Sequence, residues 1–187
     1  MPGTFPLLGE PLAVDLANTI MRGDDGVTDL LRDVPALHEW LEIHAAELPS
    51  GGRPNRAPSA YRLRELRDAL SELFGAAIER RESGEPTLAL VNDAAAAAHP
   101  TLRPGPDGPA REWRPTSRRR GATDIAAIAR SAIDVLTGPD RDKLRRCNGP
   151  GCVLFFVAAN PRRRWCSSQL CGNRVRVARH RHHQPGA

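Results

Sequence analysis

Four cysteines, Cys147, Cys152, Cys166 and Cys171, are the residues of this 187-residue chain best suited to chemistry, and they stand in two short pairs. Four residues separate the members of each pair, and thirteen lie between the pairs. Thiolates are soft ligands, and two such pairs can set four sulfurs tetrahedrally around a single Zn²⁺ while the loop between them closes. Asn148-Gly149-Pro150-Gly151 is a turn sequence that bends backbone around a thiolate. Gly172-Asn173-Arg174 puts Cys171 at or just before a helix start, where N–H groups stabilise sulfur charge. Two disulfides or an iron–sulfur cluster are the other uses of such a pattern. No acidic residue or histidine lies inside the motif, so nothing there serves as a general base. Four cysteine ligands also leave no open coordination position, and the expected role of the one zinc ion is structural.

The charge around these cysteines is one-sided. Residues 147–187 contain seven Arg and no Lys, Asp or Glu, a charge of +7 within a chain of net charge +5, so the rest sums to −2. A zinc tetrathiolate contributes about −2, which leaves the tail near +5. Arg162, Arg163 and Arg164 lie between the cysteine pairs, and Arg174, Arg176, Arg179 and Arg181 follow the last ligand on a short helix ending near His183. Tethered to one rigid site, both clusters can face the same polyanion, and guanidinium groups suit bidentate contact with phosphate or guanine. The bland alternative is a solvated basic face. Trp165, next to a ligand, reads as packing over the metal site, and His180, His182 and His183 read as exposed. Arg118-Arg119-Arg120 reads as a solvated turn.

Helical segments must position this module. Leu12, Leu16 and Ile20 after Pro11 predict a helix near 11–21, on which Asp15 and Asn18 share a face that contacts a ligand or caps a neighbouring element, the structural role being the favoured one. Val34 to Leu48 predicts a second, stopped by Pro49-Ser50-Gly51-Gly52. Ser59 caps a third through Leu63, Leu66, Leu70, Leu73, Phe74 and Ile78, ended by Gly84. Pro86 opens a fourth that runs to Ala98, where His99-Pro100 interrupts it. The Gly105-Pro106-Asp107-Gly108 turn predicts a small hairpin within 101–116. Thr123 or Asp124 caps a last long helix through Ile125, Ile128, Ala132 and Val135, closed by Gly138-Pro139.

With 40% apolar residues, the chain has enough for one compact domain and a small appended module. Glu10 and Asp15 break any apolar run at the N-terminus, and no stretch approaches a membrane span, so a cytoplasmic protein without membrane contact is expected. No nucleophile, base and orienting group occur together, and no phosphate or dinucleotide fingerprint is present, which argues against an enzyme.

Trp165-Cys166-Ser167-Ser168-Gln169-Leu170-Cys171-Gly172-Asn173-Arg174, with the earlier cysteine pair and Arg162-Arg163-Arg164, resembles the CGNR zinc finger. In that family the finger follows an ABATE domain, and Gly9-Glu10-Pro11-Leu12-Ala13-Val14-Asp15-Leu16-Ala17-Asn18-Thr19 resembles its opening segment. Asp29-Leu30-Leu31 and Leu37-His38-Glu39-Trp40-Leu41 fit the segments that follow, so the resemblance spans essentially the whole chain. It implies a bacterial-type, stress-induced transcription regulator that binds DNA through the finger. One departure stands out: relatives usually carry an acidic residue soon after the aromatic that follows the second Cys, where this chain has Phe156-Val157-Ala158-Ala159-Asn160-Pro161.

The expected architecture is mainly α with α+β character. A helical domain with a small hairpin occupies 1–140 and a four-cysteine zinc finger occupies 141–187. DNA is the expected partner of the finger, while the helical domain dimerises or receives a small-molecule or protein signal. A protein-interaction adaptor with an acidic partner and an RNA-binding accessory factor are the competing functions. If the two parts fold independently, Cys166→Ser unfolds the finger alone.

Overall fold

The computed structural model describes residues 5–6, 8–23 and 26–182. It is mainly helical, with three separate two-stranded antiparallel sheets. The first helix, α1 (Leu12–Ala17), is buried on every side because it is apolar almost all round and packs against two longer helices and the finger. It is shorter than its apolar spacing predicts. The helix closes at Asn18, and Thr19 Oγ1 donates back to the Leu16 carbonyl at 2.8 Å. Ile20, expected on the helix, instead begins β1 (Ile20–Gly23), which pairs with β2 (Gly26–Asp29).

Asp33 caps α2 (Val34–Ile43) by accepting the Ala36 N–H, and Leu37, Trp40 and Leu41 point into the core. This helix ends five residues before Leu48, the last residue of the predicted span. The longest helix, α3 (Ala60–Glu79), starts as predicted at Ser59, whose side chain accepts the Arg62 N–H. It stops at Arg80 in the left-handed region (φ 54°), ahead of Gly84. Leu63, Leu66, Leu70, Leu73 and Phe74 form its buried stripe. Arg67 is buried on the same helix and is paired with Asp29 at 2.6 Å, which fastens the end of β2 to α3.

Helix α4 (Glu85–Ala96) has Pro86 in its first turn and leads into β3 (Ala98–Arg103), paired with β4 (Ala110–Pro115). The hairpin is wider than predicted, since His99 and Pro100 are part of the strand and face Arg114 and Trp113. On α5 (Ala122–Thr137), Ile125, Ile128, Ala129, Ala132 and Val135 meet the stripe of α3 and the buried face of α1. The chain then forms β5 (Leu144–Arg146) and β6 (Phe155–Val157), and ends in α6 (Asn173–His182) after a π-helical turn over Ser168–Gly172. No helix among the described residues is long and apolar enough to cross a membrane.

Neither Thr123 nor Asp124 caps α5. The cap position is Gly121, with φ 72°, and a Cβ there would lie 2.3 Å from the Pro58 nitrogen. The approach of the 57–58 loop leaves room only for glycine. Asp124 instead turns inward, accepts the Ser50 N–H at 2.9 Å and ties the turn that follows α2 to the core. Burial raises its carboxyl above the ordinary range. We predict that Gly121→Ala lowers stability by roughly 2–4 kcal/mol, since it adds both backbone strain and a clash with main chain. Chemical denaturation of the two proteins measures the difference.

Candidate metal centre

The first cysteine pair wraps a tight turn. Cys147 follows β5, and the chain returns so that the Cys152 N–H donates to the Gly149 carbonyl at 2.9 Å. A Cβ on Gly149 would lie 2.9 Å from Cys171 Sγ, so glycine lets the main chain pass beside the opposite pair. The second pair arrives through the loop after β6, where the Cys166 N–H donates to Cys147 Sγ at 3.2 Å and the Asn148 N–H to the Arg164 carbonyl at 3.0 Å. Helical structure begins before Cys171 and not after it. Ser167 caps the π-helical turn by accepting the Gln169 and Leu170 N–H groups, and Cys171 lies within that turn.

The four Sγ atoms lie within 4.8 Å of one another, the only such cluster of ligating side chains among the described residues. A tetrahedral site with Zn–S near 2.3 Å holds its sulfurs about 3.8 Å apart, so the set fits this ion. All four cysteines are free thiols, and Cys147, Cys166 and Cys171 are buried. Hydrogen bonding from the thiols of Cys152 and Cys166, with the Cys166 and Gly149 N–H groups, holds the Cys147 thiol far below its usual range. That same partnership with Cys147 pushes the Cys152 and Cys166 thiols up. Four sulfurs this close do not all ionise without a cation, and a dication supplies the missing charge. These cysteines form a single structural zinc site, with all positions filled by protein.

A small apolar cluster surrounds the sulfurs. Leu154, Phe156 and Ala158 pack with the cysteines, and Trp165, Leu8 and Met21 lie against them, so Trp165 packs beside the metal site as its position suggested. Successive residues of a strand face opposite ways, and here both faces are used. Phe155 turns into the helical core, with its ring 5.8 Å from that of Phe74 and edge-on to it, while Phe156 faces the zinc site. Arginine lies over each ring: Arg146 at 5.0 Å from Phe155 and Arg163 at 4.4 Å from Phe156.

The outer edge of β6 is closed by side chains. Asn18 accepts the Phe155 N–H at 2.8 Å and donates to the Phe155 carbonyl at 3.0 Å, across 137 residues of sequence. Glu10 accepts the Val157 N–H at 2.8 Å. Arg163 donates to the carbonyls of Val157 and Trp165, forms an ion pair with Glu10 at 2.7 Å and reaches the Cys166 carbonyl at 2.5 Å. No acidic residue stands within 157–161, and Asn160 shapes that turn by accepting the Arg162 N–H at 2.9 Å.

The seven arginines read from sequence therefore separate. Arg163 is half-buried and fully occupied within the fold. Arg162, Arg164, Arg174 and Arg176 are exposed, and Arg174 also approaches Cys171 Sγ at 3.8 Å. The side chains of Arg179 and Arg181, and those of His180, His182 and His183, lie outside the described residues. The sequence marks Asn18 for its place on a helix face and Glu10 as a break in an apolar run, but gives neither a partner. Only the pairing of β6 reveals both.

Residues 10–139 match the ABATE family, described as "Putative stress-induced transcription regulator", and residues 143–184 match the CGNR zinc finger. The chain belongs to the ABATE family. Its finger follows the ABATE region directly, in the order that the sequence motifs implied. No curated protein matches the chain.

Asp15 of the ABATE segment is buried, and its Oδ1 has no hydrogen-bond partner among the described residues. Burial first, then the charges of Glu10 and Glu47, raises its carboxyl to about 7. The folded chain therefore holds this proton more tightly than the unfolded one. The resulting stability is complete below about pH 4 and is lost as pH rises through 7. We predict that Asp15→Asn flattens the decline in melting temperature between pH 5 and 8 and stabilises the protein at pH 8 by roughly 1–3 kcal/mol. Native mass spectrometry should find one zinc per CGNR finger, and Cys166→Ser should lose the ion.

Proposed function

We propose that this ABATE protein is a transcription regulator that binds DNA through the basic face of its CGNR finger. The observation that carries this reading is a groove of about 520 Å³ beside the zinc site, lined by Arg162, Arg164, Trp165, Ser167, Ser168 and Gln169. Two of its three guanidinium groups, those of Arg162 and Arg164, are not neutralised from within, while the third, Arg163, pairs with Glu10. Arg64, Arg67, Arg81, Arg146 and Arg163 pair with carboxylates, whereas Arg162, Arg164, Arg174 and Arg176 have no carboxylate partner among the described residues. Unpaired guanidinium groups on a rigid support, next to hydroxyl and amide donors, form the kind of surface that holds phosphate oxygens and positions a helix on a duplex.

The metal holds the two arginine-bearing segments together, and the chain supplies every contact to the nucleic acid. Arg162 and Arg164 flank the turn before Cys166, while Arg174 and Arg176 lie on the first turn of α6; Arg179 and Arg181 extend the set along the same helix. A single short helix has a small footprint, so sequence selectivity calls for two copies of the chain, and the helical part is where a dimer contact and a small-molecule or protein signal belong in this reading. No catalytic step is involved.

Zinc-loaded protein incubated with sheared genomic DNA should enrich a limited set of fragments, and chelation should abolish the enrichment. Affinity for one enriched duplex should fall with salt at a log–log slope of about −4 or steeper, at about −0.9 per phosphate contact. The double variant Arg162→Ala, Arg164→Ala should reduce that slope by about 2 without changing the melting temperature. A salt-independent interaction would overturn the reading. Preference for single-stranded RNA over duplex would make the protein an RNA-binding factor, and retention of an acidic protein in place of nucleic acid would make it an adaptor.

A further inference from the structure

Strand β6 belongs to two cores at once, and the side chains that close its outer edge come from the other end of the chain. Asn18 is 1% exposed and Glu10 is 7% exposed. Both direct their polar atoms to β6 or to Arg163, so neither has water as a ready substitute if the strand moves. On the metal side, Leu154, Phe156 and Ala158 pack with the cysteines; on the helical side, Phe155 and Leu144 are part of the main core and Val157 packs against it. Leu8 and Met21 touch the cysteine cluster from the N-terminal part as well. The zinc site and residues 10–18 thus share one strand and one buried polar network.

We propose that metal occupancy of the finger is coupled to the order of the N-terminal segment around α1, and that Asn18 and Glu10 are positioning residues of the zinc site although neither touches the metal. Without the ion the four thiols no longer hold the two cysteine pairs together, β6 loses the packing on its Phe156 face, and the partners of Asn18 and Glu10 are released. Linkage requires the converse: the factor by which zinc strengthens the docking of β6 is the factor by which docking strengthens zinc, so a chain that no longer docks β6 holds zinc more weakly. The helical part then responds to whatever removes the metal, a chelator or a thiol oxidant, with α1 as the first element affected. This inference rests on the metal site and not on the nucleic-acid reading, and its test involves no nucleic acid.

Amide hydrogen exchange of the full chain, with zinc and after chelation, should show protection lost together over residues 10–19 and 144–158. Loss confined to residues beyond 143, with 10–19 unchanged, would overturn the proposal. Competition with a chromophoric chelator should show zinc held about tenfold more weakly, or worse, by Asn18→Ala and Glu10→Gln than by the parent chain. Equal affinity in both variants would overturn it. Asp33→Ala, which removes the α2 cap far from β6, is expected to keep the parent affinity. An equal loss there would assign the effect to general destabilisation and would also count against the proposal.

Discussion

The outer edge of a three-residue strand is the constraint on which the rest of this structure depends. One side of β6 pairs with β5; the other presents the N–H and carbonyl groups of Phe155 and Val157 to the interior of the molecule. A buried edge of this kind needs partners, since each polar group left without one costs about 1–3 kcal/mol. A further strand would satisfy them, but the chain uses three side chains instead. The amide of Asn18 mimics a backbone peptide, the Glu10 carboxylate takes the next N–H, and the Arg163 guanidinium takes the remaining carbonyl. The finger consequently joins the helical part through directional bonds as well as apolar contact.

This arrangement explains the division of labour among the arginines. A guanidinium that donates to Val157, Trp165, Cys166 and Glu10 while covering the Phe156 ring is a structural cation, and its charge is neutralised inside the fold. Its neighbours in sequence have no such demand and face solvent. The local field of the tail is therefore smaller than a count of seven arginines implies, and among the described side chains Arg162, Arg164, Arg174 and Arg176 carry it. That is the geometry a polyanion would meet, since exposed charges more than about a Debye length apart are screened from one another.

Much of the fold was legible in the sequence because the controlling interactions are local. The spacing of the cysteines is set by how tightly a chain turns around one ion, and the stripe on α3 and the Ser59 cap are set within a few residues. What could not be read depends on distant partners. Asn18 ends α1 early, and its amide is satisfied by a residue 137 positions away. Asp124 has the local signature of a helix cap, but the N–H it serves belongs to Ser50, 74 positions away, and the cap falls to Gly121 because Pro58 is pressed against it. Arg162, Arg163 and Arg164 are identical in type, and only the fold around β6 decides which of them turns inward.

The location of Asp15 follows from the same constraint. Glu10 must sit beside β6 to meet Val157 and Arg163, and the short helix that carries Asn18 to Phe155 begins two residues later. Asp15 lies between these two anchors, on a helix buried on all sides, so it cannot turn toward solvent without displacing one of them. Its raised carboxyl is the consequence of bringing two long-range partners to one strand from a helix of six residues. A neutral side chain there would suit the packing better. The position is destabilising only where the carboxyl is ionised, so this cost of the junction falls on α1 and grows as pH rises.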